Sequence, residues 1–210
     1  MKPYQRIIKR LMDVFLSLLI IGLFSPLFFL IFLIIRLDSK GPAIFRQVRA
    51  GKNGRPFICY KFRTMYVGAP DIRNPDGSTF NAEDDPRVTR VGRFLRKTSL
   101  DELPQFINVL KGDMSLVGPR PDLIDQIQYY KEEEKRRLSV KPGITGLAQI
   151  SGRNSIPWEQ RKYLDLEYIK NYSLWLDISI LLRTIPCVIM QRGVFAQSKN
   201  VRKCDENVRY

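Results

Sequence analysis

An uncharged run of 22 residues, Val14 to Ile35, constrains the fold of this chain more than any other segment. As an unbroken helix it would rise roughly 33 Å, enough to cross a hydrocarbon core of about 30 Å. Ser25 and Pro26 stand near its middle. Proline has no N–H and crowds the carbonyl four residues back, here that of Gly22, and the Ser25 hydroxyl could bond a freed carbonyl. The run therefore predicts either a kinked transmembrane helix or a re-entrant segment, in which two half-length helices meet at a break.

Basic residues flank this run on both sides. Four precede it and six follow it within 20 positions, with Asp38 the only acid in the second stretch. The positive-inside rule orients a membrane helix by the difference in Lys and Arg between its flanks, and here both flanks favour the cytoplasm, as a re-entrant segment allows. The run is too long for a signal peptide and no small-residue cleavage site follows, so we expect the segment to be retained. The basic residues are Lys2, Arg6, Lys9, Arg10, Arg36, Lys40, Arg46, Arg49, Lys52 and Arg55.

The composition limits the chemistry that the rest of the chain can perform. The chain has 210 residues, and those outside the apolar run suffice for one domain of ordinary size. Its 35 Lys and Arg against 21 Asp and Glu give a net charge of +14, which suits an anionic partner. The sequence contains no histidine, which excludes His-based triads, His zinc sites and imidazole acid–base catalysis. The three cysteines lack metal-ligand spacing and indicate a reduced compartment without disulfides.

Local patterns predict a mixture of helices with one short hairpin. Two runs rich in aromatic and β-branched residues, 42–47 and 57–62, flank a turn and predict a β-hairpin. Residues 67–86 carry prolines and acids and predict a surface loop, whose acidic cluster either binds a cation or is solvated. Residues 126–139 and 155–172 predict helices. Residues 174–194 are apolar and could pack in the core or lie at a membrane interface.

The segment 96–105 is the densest candidate for a catalytic site. Ser99 and Glu102 have the spacing of a helix capping box, which is a purely structural alternative. Pro104 instead favours a helix that begins close to it, because proline is preferred as the first helical residue. Asp101 and Glu102 then precede a helix N-terminus, where the free N–H groups and the helix dipole attract phosphate.

Two adjacent carboxylates at a phosphate site imply a divalent cation, because they would otherwise repel the substrate. Mg²⁺ is typically held by one or two carboxylates together with phosphate oxygens of the substrate. Asp101 at an ordinary pKa of about 3.9 would be ionised at neutral pH and could attack phosphorus without a base. Arg96 could add a guanidinium group. The pattern therefore indicates Mg²⁺-assisted chemistry on a phosphate at Asp101 and Glu102.

Two further basic motifs are candidates for phosphate binding. Pro119 and Pro121 stiffen the backbone around Arg120, so that its side chain would lose less entropy on binding a nucleobase or a phosphate. The alternative is a rigid connector between helices. Lys61 and Arg63 are two residues apart on the predicted second strand, so they share a face that meets either phosphate or solvent.

Taken together and in this order, these elements resemble the small monotopic phosphoglycosyl transferases, bacterial sugar transferases that prime glycan assembly on polyprenol phosphate. The resemblance extends from about Arg6 to Val194 and lacks the additional membrane helices and N-terminal domain of larger members. Several long motifs in register make it specific. They are Ser25-Pro26, YKFRTM at 60–65, TSLDELPQ at 98–105, GDMSLVGPRP at 112–121 and VKPGITGLAQ at 140–149.

The resemblance implies an α+β fold, namely a helix-rich single cytoplasmic domain with a short β-hairpin. An N-terminal re-entrant helix-break-helix membrane segment, broken at Ser25 and Pro26, would anchor it. We expect residues 1–36 to form this segment with its basic flank, residues 37–194 the catalytic domain, and residues 195–210 a polar, disordered tail. The protein would be monotopic, on the cytoplasmic face of the bacterial inner membrane.

The resemblance also implies the reaction. A Mg²⁺-dependent enzyme would transfer a phosphosugar from a UDP-sugar to undecaprenyl phosphate, as the first membrane step of glycan, polysaccharide or glycoprotein assembly. Asp101 would attack the β-phosphorus, release UMP and carry the phosphosugar, while Glu102 would bind or position Mg²⁺. Implied partners are the UDP-sugar, polyprenol phosphate, membrane lipid and downstream glycosyltransferases, but no nucleic acid. The implied ligands of phosphate and nucleotide are Lys61, Arg63, Arg96, Pro119, Arg120 and Pro121. Asp165 and Asp177 are implied as supporting acids, and their structural alternative is to pair with arginines.

A non-catalytic alternative is a membrane-anchored basic scaffold that holds anionic lipid or nucleic acid. Such a protein would bind through many dispersed cations, with strong salt dependence and no turnover. Its binding would not depend on Asp101. The carboxylates beside Pro104 favour the enzyme, because a purely electrostatic binder has no use for them in a basic site.

Overall fold

The whole apolar run lies in one helix, the longest element of the structure. The structure is a computed structural model that describes residues 2–191, 193 and 194. The predicted tail, 195–210, lies outside the described residues. The helix-rich architecture with small sheets agrees with the predicted α+β class. The elements are α1 (Pro3–Asp38), β1 (Ile44–Ala50), β2 (Pro56–Phe62), α2 (Arg90–Thr98), α3 (Gln105–Lys111), β3 (Ser115–Val117), β4 (Gly143–Thr145), α4 (Leu147–Ser151), α5 (Trp158–Lys170) and α6 (Leu174–Ile189).

Helix α1 continues through Pro26 as a single element of 36 residues. The predicted break at Ser25 and Pro26 therefore does not divide the segment into two separate helices. The local chemistry is as expected, because Ser25 Oγ donates a hydrogen bond of 2.9 Å to the carbonyl of Gly22, whose usual partner would be the N–H that Pro26 lacks. This repair lets the helix tolerate proline in its interior.

The N-terminal part of α1 is fastened to the rest of the protein by charged side chains. Lys9 is buried and its Nζ lies 2.7 Å from a carboxylate oxygen of Asp177 on α6. Asp13, also buried, accepts hydrogen bonds from Ser115 Oγ at 2.8 Å and from the backbone N–H of Leu116 at 3.1 Å. Buried charges are tolerated when they are paired in this way, so these residues fix where α1 meets β3 and α6.

The C-terminal part of α1 packs on the same domain through apolar contacts. Ile31 and Ile35 are buried in a cluster with Ala43, Phe62 and Leu95. Between these two contact regions, no residue of the described stretch 18–30 is buried. Leu27 and Phe28 pack partly on this cluster, and the rest of the middle of α1 presents an apolar surface that the domain leaves largely exposed.

The predicted hairpin is confirmed, with its first strand displaced toward the C-terminus. Strands β1 and β2 pair antiparallel from Ile44 opposite Phe62 to Ala50 opposite Pro56. The connecting turn places Asn53 and then Gly54 at positive φ, a conformation that asparagine and glycine adopt more readily than other residues. Helix α3 lies beside β2 and is joined to it by Asn108, whose Oδ1 accepts from Tyr60 N at 3.0 Å and whose Nδ2 donates to Ile58 O at 2.6 Å.

The central core lies between α3, the parallel pair β3–β4, α5 and α6. Helix α5 confirms the helix predicted over residues 155–172. The helix predicted over residues 126–139 is wrong, because the chain forms two short 3-10 segments, Ile124–Tyr129 and Glu134–Ser139. Arg137 in the second segment turns inward to Asp122 and Asp165, so tertiary ion pairs replace a continuous helix there. The core residues are Cys59, Val109, Met114, Leu116, Val117, Tyr168 and Ile180.

In the predicted surface loop at 67–86, two of the acids pair with nearby arginines. Asp85 is buried and forms a 2.7 Å ion pair with Arg87, while Asp71 pairs with Arg73 at 2.6 Å. Among the described residues there is no group of three or more potential ligands that could hold a metal. Asp71 and Asp85 thus have arginine partners, whereas Glu83 and Asp84 are exposed.

Replacement of Asp13 by alanine should loosen the attachment of α1. The substitution leaves the buried N–H of Leu116 without its acceptor, which costs about 1–3 kcal/mol. We expect a lower midpoint of thermal unfolding for detergent-solubilised Asp13→Ala than for the parent protein. Asp38→Ala, at the exposed end of the same helix, is the matched control. Equal midpoints for the two variants would contradict the proposed role of Asp13 in the fold.

Candidate active site

Asp101 and Glu102 lie in a short 3-10 turn, Leu100–Glu102, between α2 and α3. Helix α3 begins at Gln105 with Pro104 already in helical geometry, close to the predicted start. The capping-box alternative is wrong, because the side chain of Ser99 caps neither this turn nor α3 and Glu102 is engaged elsewhere. The turn therefore presents two consecutive carboxylates from a bend between helices.

Glu102 is the point at which three separate parts of the chain meet. Its Oε1 accepts a hydrogen bond from Lys61 Nζ of β2 at 3.0 Å and from Arg120 Nη2 of the loop after β3 at 2.8 Å. Burial acts to raise the pKa of Glu102, but Arg120, Lys61 and Arg153 outweigh it and hold this pKa below its usual range. Glu102 is therefore ionised. It joins the hairpin to residues 118–122 after β3, which are called the Arg120 loop below.

Asp101 differs electrostatically from its neighbour. Burial raises the pKa of Asp101 to about 6, with Lys61, Arg96 and Arg120 opposing the rise and Glu102 adding to it. The ordinary pKa of about 3.9 expected for Asp101 from the sequence is therefore too low. Two adjacent carboxyl groups with separated pKa values commonly have different chemical roles. Here Asp101 is the more basic, and hence the more nucleophilic, of the two.

A small, partly open cleft lies beside Lys61 and Arg120, the two cations that contact Glu102. Its lining includes Arg49, Lys61 and Arg120, which give it a positive character suited to phosphate. A second small cleft lies on another side of the same loop, and Pro119, Arg120 and Pro121 belong to its lining. The predicted nucleotide-binding motif therefore stands between two concave surfaces.

The Arg120 loop is held rigidly, in agreement with its predicted stiffness. The carbonyl oxygen of Pro119 accepts from Gly143 N at 2.9 Å, and that of Pro121 accepts from Arg49 Nη1 at 3.0 Å. Both prolines limit backbone freedom on either side of Arg120. The guanidinium group of Arg120 is consequently presented to Glu102 on a fixed backbone.

Two predicted phosphate ligands occupy different environments. The charge of Arg96 acts to lower the pKa of Asp101. Its Nε donates a hydrogen bond to Thr64 Oγ1 at 2.9 Å. Arg63 is buried and uses its guanidinium group on the carbonyls of Pro42 and Ser39 and on the Ser39 hydroxyl. The structure brings Arg96 to the carboxylates but does not bring Arg63, which instead fastens the connection after α1.

The two supporting acids are structural partners of cations. Asp165 accepts from Arg137 Nε and Nη2 at 3.0 and 2.6 Å, and burial raises the pKa of Asp165 to about 6 despite this pairing. Asp177 pairs with Lys9 and also accepts from Tyr168 at 2.7 Å. Asp165 therefore organises the side of the domain behind the Arg120 loop, and Asp177 holds α1.

Sequence reasoning missed Arg153, which approaches the carboxylates from the 3-10 segment after α4. Its Nη1 donates to Ser99 Oγ at 2.9 Å, two residues before Asp101. Both Arg153 and Ser99 have positive φ, 52° and 60°, which is uncommon for residues other than glycine and often marks a functional site. The only sequence signal was Gly152-Arg-Asn, a turn motif without any indication of its distant partner.

The carboxylates meet the simplest requirement for Mg²⁺. This ion usually takes one or two protein carboxylates and completes its shell with water and substrate phosphate. Asp101 and Glu102 are two consecutive carboxylates of one turn and could supply such a pair. Glu102 Oε1 already accepts from two cations, which leaves its other oxygen as the better ligand.

Removal of the Lys61 charge should raise the pKa of Asp101. Lys61 is the strongest of the charges that oppose the effect of burial on this carboxyl group. A ¹³C NMR titration of aspartate side chains should show Asp101 titrating near pH 6 in the parent protein and at a higher pH in Lys61→Met. Lys97→Met, which removes an exposed charge of α2, should leave the titration unchanged. An unaltered Asp101 titration in Lys61→Met would refute this electrostatic assignment.

Comparison with known proteins gives a consistent result along the chain. The family model described as bacterial sugar transferase matches residues 4–191. The undecaprenyl-phosphate galactose phosphotransferase of Salmonella typhimurium is 43% identical over 205 residues, which are 92% of this chain and 43% of that protein. The UDP-glucose:undecaprenyl-phosphate glucose-1-phosphate transferase of Escherichia coli is 47% identical over 189 residues, 86% of this chain and 40% of that protein.

A shorter relative matches this chain along most of both sequences. The uncharacterized sugar transferase EpsL of Bacillus subtilis is 46% identical over 188 residues, which are 90% of each protein. The chain spans less than half the length of the two longer relatives. The shared region nevertheless includes all the residues of the Glu102 site.

Proposed function

Because this chain belongs to the bacterial sugar transferase family, we propose that it transfers a sugar phosphate from a UDP-sugar to undecaprenyl phosphate. The observation that carries this proposal is the convergence of Lys61 and Arg120 on Glu102, next to a carboxyl group with raised pKa. The activities for which the Salmonella and Escherichia relatives are named support the choice of donor and acceptor. The product would be undecaprenyl-diphosphate-sugar, made at the first membrane step of polysaccharide assembly.

The first half-reaction forms a bond between Asp101 and phosphorus. A carboxylate oxygen of Asp101 attacks the β-phosphorus of the UDP-sugar, and the bond from that phosphorus to the bridging oxygen breaks. UMP leaves with the electron pair, and the sugar phosphate remains on the aspartate. With a pKa of about 6, roughly nine-tenths of Asp101 is ionised at pH 7, so no general base is needed.

The second half-reaction regenerates the enzyme. A phosphate oxygen of undecaprenyl phosphate attacks the same phosphorus, and the bond to Asp101 breaks with return of the carboxylate. Both attacking groups are anions, so the protein's task is to reduce repulsion and align the reactants. Lys61, Arg96 and Arg120 supply positive charge for this purpose, and a chain without histidine loses nothing in such a reaction.

Mg²⁺ would be held by Glu102 and Asp101 together with substrate phosphate oxygens. When bound, it would neutralise charge on the diphosphate and improve UMP as a leaving group. The protein's own contribution is to keep Glu102 ionised, through its contacts with Lys61 and Arg120. Glu102 would therefore remain a competent ligand at any pH at which Asp101 is ionised.

We further propose that α1 is re-entrant and that the domain lies on the cytoplasmic face of the inner membrane. Both ends of α1 contact the same domain, and only residues 18–30 lie between the buried Ser17 and Ile31. Thirteen helical residues span about 20 Å, less than the hydrocarbon core of about 30 Å. The exposed apolar middle would thus be immersed in one leaflet, with both ends of the continuous helix on the same side of the membrane and residues 37–194 as the catalytic domain.

Asp101→Asn should abolish UMP release by the purified, detergent-solubilised protein. The substitution preserves size but removes the nucleophilic charge, so we expect a loss of roughly a thousandfold or more. Release should be measured with a panel of UDP-sugars, undecaprenyl phosphate and Mg²⁺, and the parent protein should lose activity when Mg²⁺ is chelated. Asp84→Asn, at an exposed loop acid, is the matched control. Undiminished release by Asp101→Asn would exclude this residue as the nucleophile.

The topology can be tested with single cysteines at Lys2 and Lys52, placed before and after α1. In intact cells, a membrane-impermeant maleimide should label neither position, and both should react after lysis. The background should carry serine at Cys187 and Cys204 and retain Cys59, which is buried. Labelling of only one of the two positions from outside would mean that α1 spans the membrane.

A further inference from the structure

Gln105, the first residue of α3, is buried without a partner for its amide. Its side chain is 2% exposed, and Nε2 has no hydrogen-bond partner among the described residues. Buried polar groups in folded proteins are nearly always bonded, and exceptions often belong to sites that a ligand completes. The position is well defined, because Pro104 precedes it in helical geometry and Asn108, one turn later, is bonded to β2.

Gln105 belongs to the cleft beside Lys61 and Arg120. Gln105 lines the cleft together with three cations, Arg49, Lys61 and Arg120. It follows Glu102, which holds two of those cations, by three residues. The residue that carries the unpaired donor and the three cations therefore line the same small cleft, and an anion with several oxygen acceptors suits both.

We propose that the Gln105 amide donates a hydrogen bond to a phosphoryl oxygen in this cleft. The proposal rests on the proposed function and makes Gln105 a substrate-binding residue of the same site. Three cations attract a phosphate from any direction, whereas an amide on a fixed helix start bonds an oxygen in one position. Gln105 would thus orient the phosphoryl group relative to Asp101 without adding further charge.

A buried glutamine elsewhere in the domain provides a matched comparison. Gln126 is also 2% exposed, but its Oε1 accepts from Leu123 N at 2.8 Å and its Nε2 donates to Gly77 O at 2.9 Å. Gln126→Met removes two internal hydrogen bonds and should lower the midpoint of thermal unfolding. Gln105→Met loses no bond from its Nε2, and we expect its midpoint in the absence of ligand to be unchanged or higher.

The deciding measurement is the binding of inorganic pyrophosphate to the full-length protein in detergent with Mg²⁺ present. Binding is monitored through the shift that pyrophosphate causes in the midpoint of thermal unfolding. The parent protein and Gln126→Met should be stabilised, and Gln105→Met should bind about 10- to 100-fold more weakly, as expected for loss of one hydrogen bond to a charged group. Gln105→Glu should be weaker still, because its carboxylate repels phosphate. Equal pyrophosphate affinity of the parent and Gln105→Met, or absence of binding to the parent, would overturn the proposal.

Turnover assays identify which substrate phosphate the amide contacts. A defect of Gln105→Met in UMP release before the lipid is added assigns the bond to the UDP-sugar, and a raised KM for undecaprenyl phosphate alone assigns it to the acceptor. Near-normal activity of Gln105→Glu beside a defective Gln105→Met would indicate a sugar hydroxyl and would refute phosphate recognition. If the parent bound pyrophosphate but released no UMP from any UDP-sugar, the proposed function would fail while phosphate recognition by Gln105 would stand.

Discussion

The double hydrogen bond to Glu102 is the interaction on which the rest of the site depends. Lys61 comes from the hairpin, Arg120 from the loop after β3, and Glu102 from the turn between α2 and α3. Each cation compensates the cost of burying the carboxylate, and the carboxylate in turn keeps two like charges close together. The site is therefore preorganised before substrate arrives, and a phosphate can take over part of the role that Glu102 plays for the two cations.

The attachment of α1 connects this site to the membrane. Asp13 accepts from β3, and Lys9 donates to the carbonyl of Val117 at 3.2 Å, the last residue of that strand. The Arg120 loop begins directly after Val117. Buried polar contacts near the start of an apolar helix thus fix both the position of the helix on the domain and the origin of the loop. Under the proposed function, these contacts would set the position of Asp101 relative to a phosphate at the membrane surface.

The sequence contained the local information but lacked the long-range pairings. The hairpin, α5, the start of α3 near Pro104 and the Ser25 contact to Gly22 all follow from short-range sterics and hydrogen bonding, and all were predictable. The two 3-10 segments at 124–139 were missed because Arg137 finds partners far away in sequence. Strand periodicity left phosphate and solvent open for Arg63 and the family resemblance implied phosphate, but neither indicates that its guanidinium group bonds the carbonyls of Pro42 and Ser39.

The raised pKa of Asp101 reflects a balance that the fold adjusts through its cations. Burial makes a carboxylate more basic and hence a better nucleophile, but too large a rise would leave it protonated at neutral pH. Lys61, Arg96 and Arg120 limit the rise to about 6, so most of the group stays ionised. The same cations would bind the incoming diphosphate. In the proposed reaction these cations would therefore serve twice, by keeping Asp101 mostly ionised and by reducing its repulsion from the diphosphate.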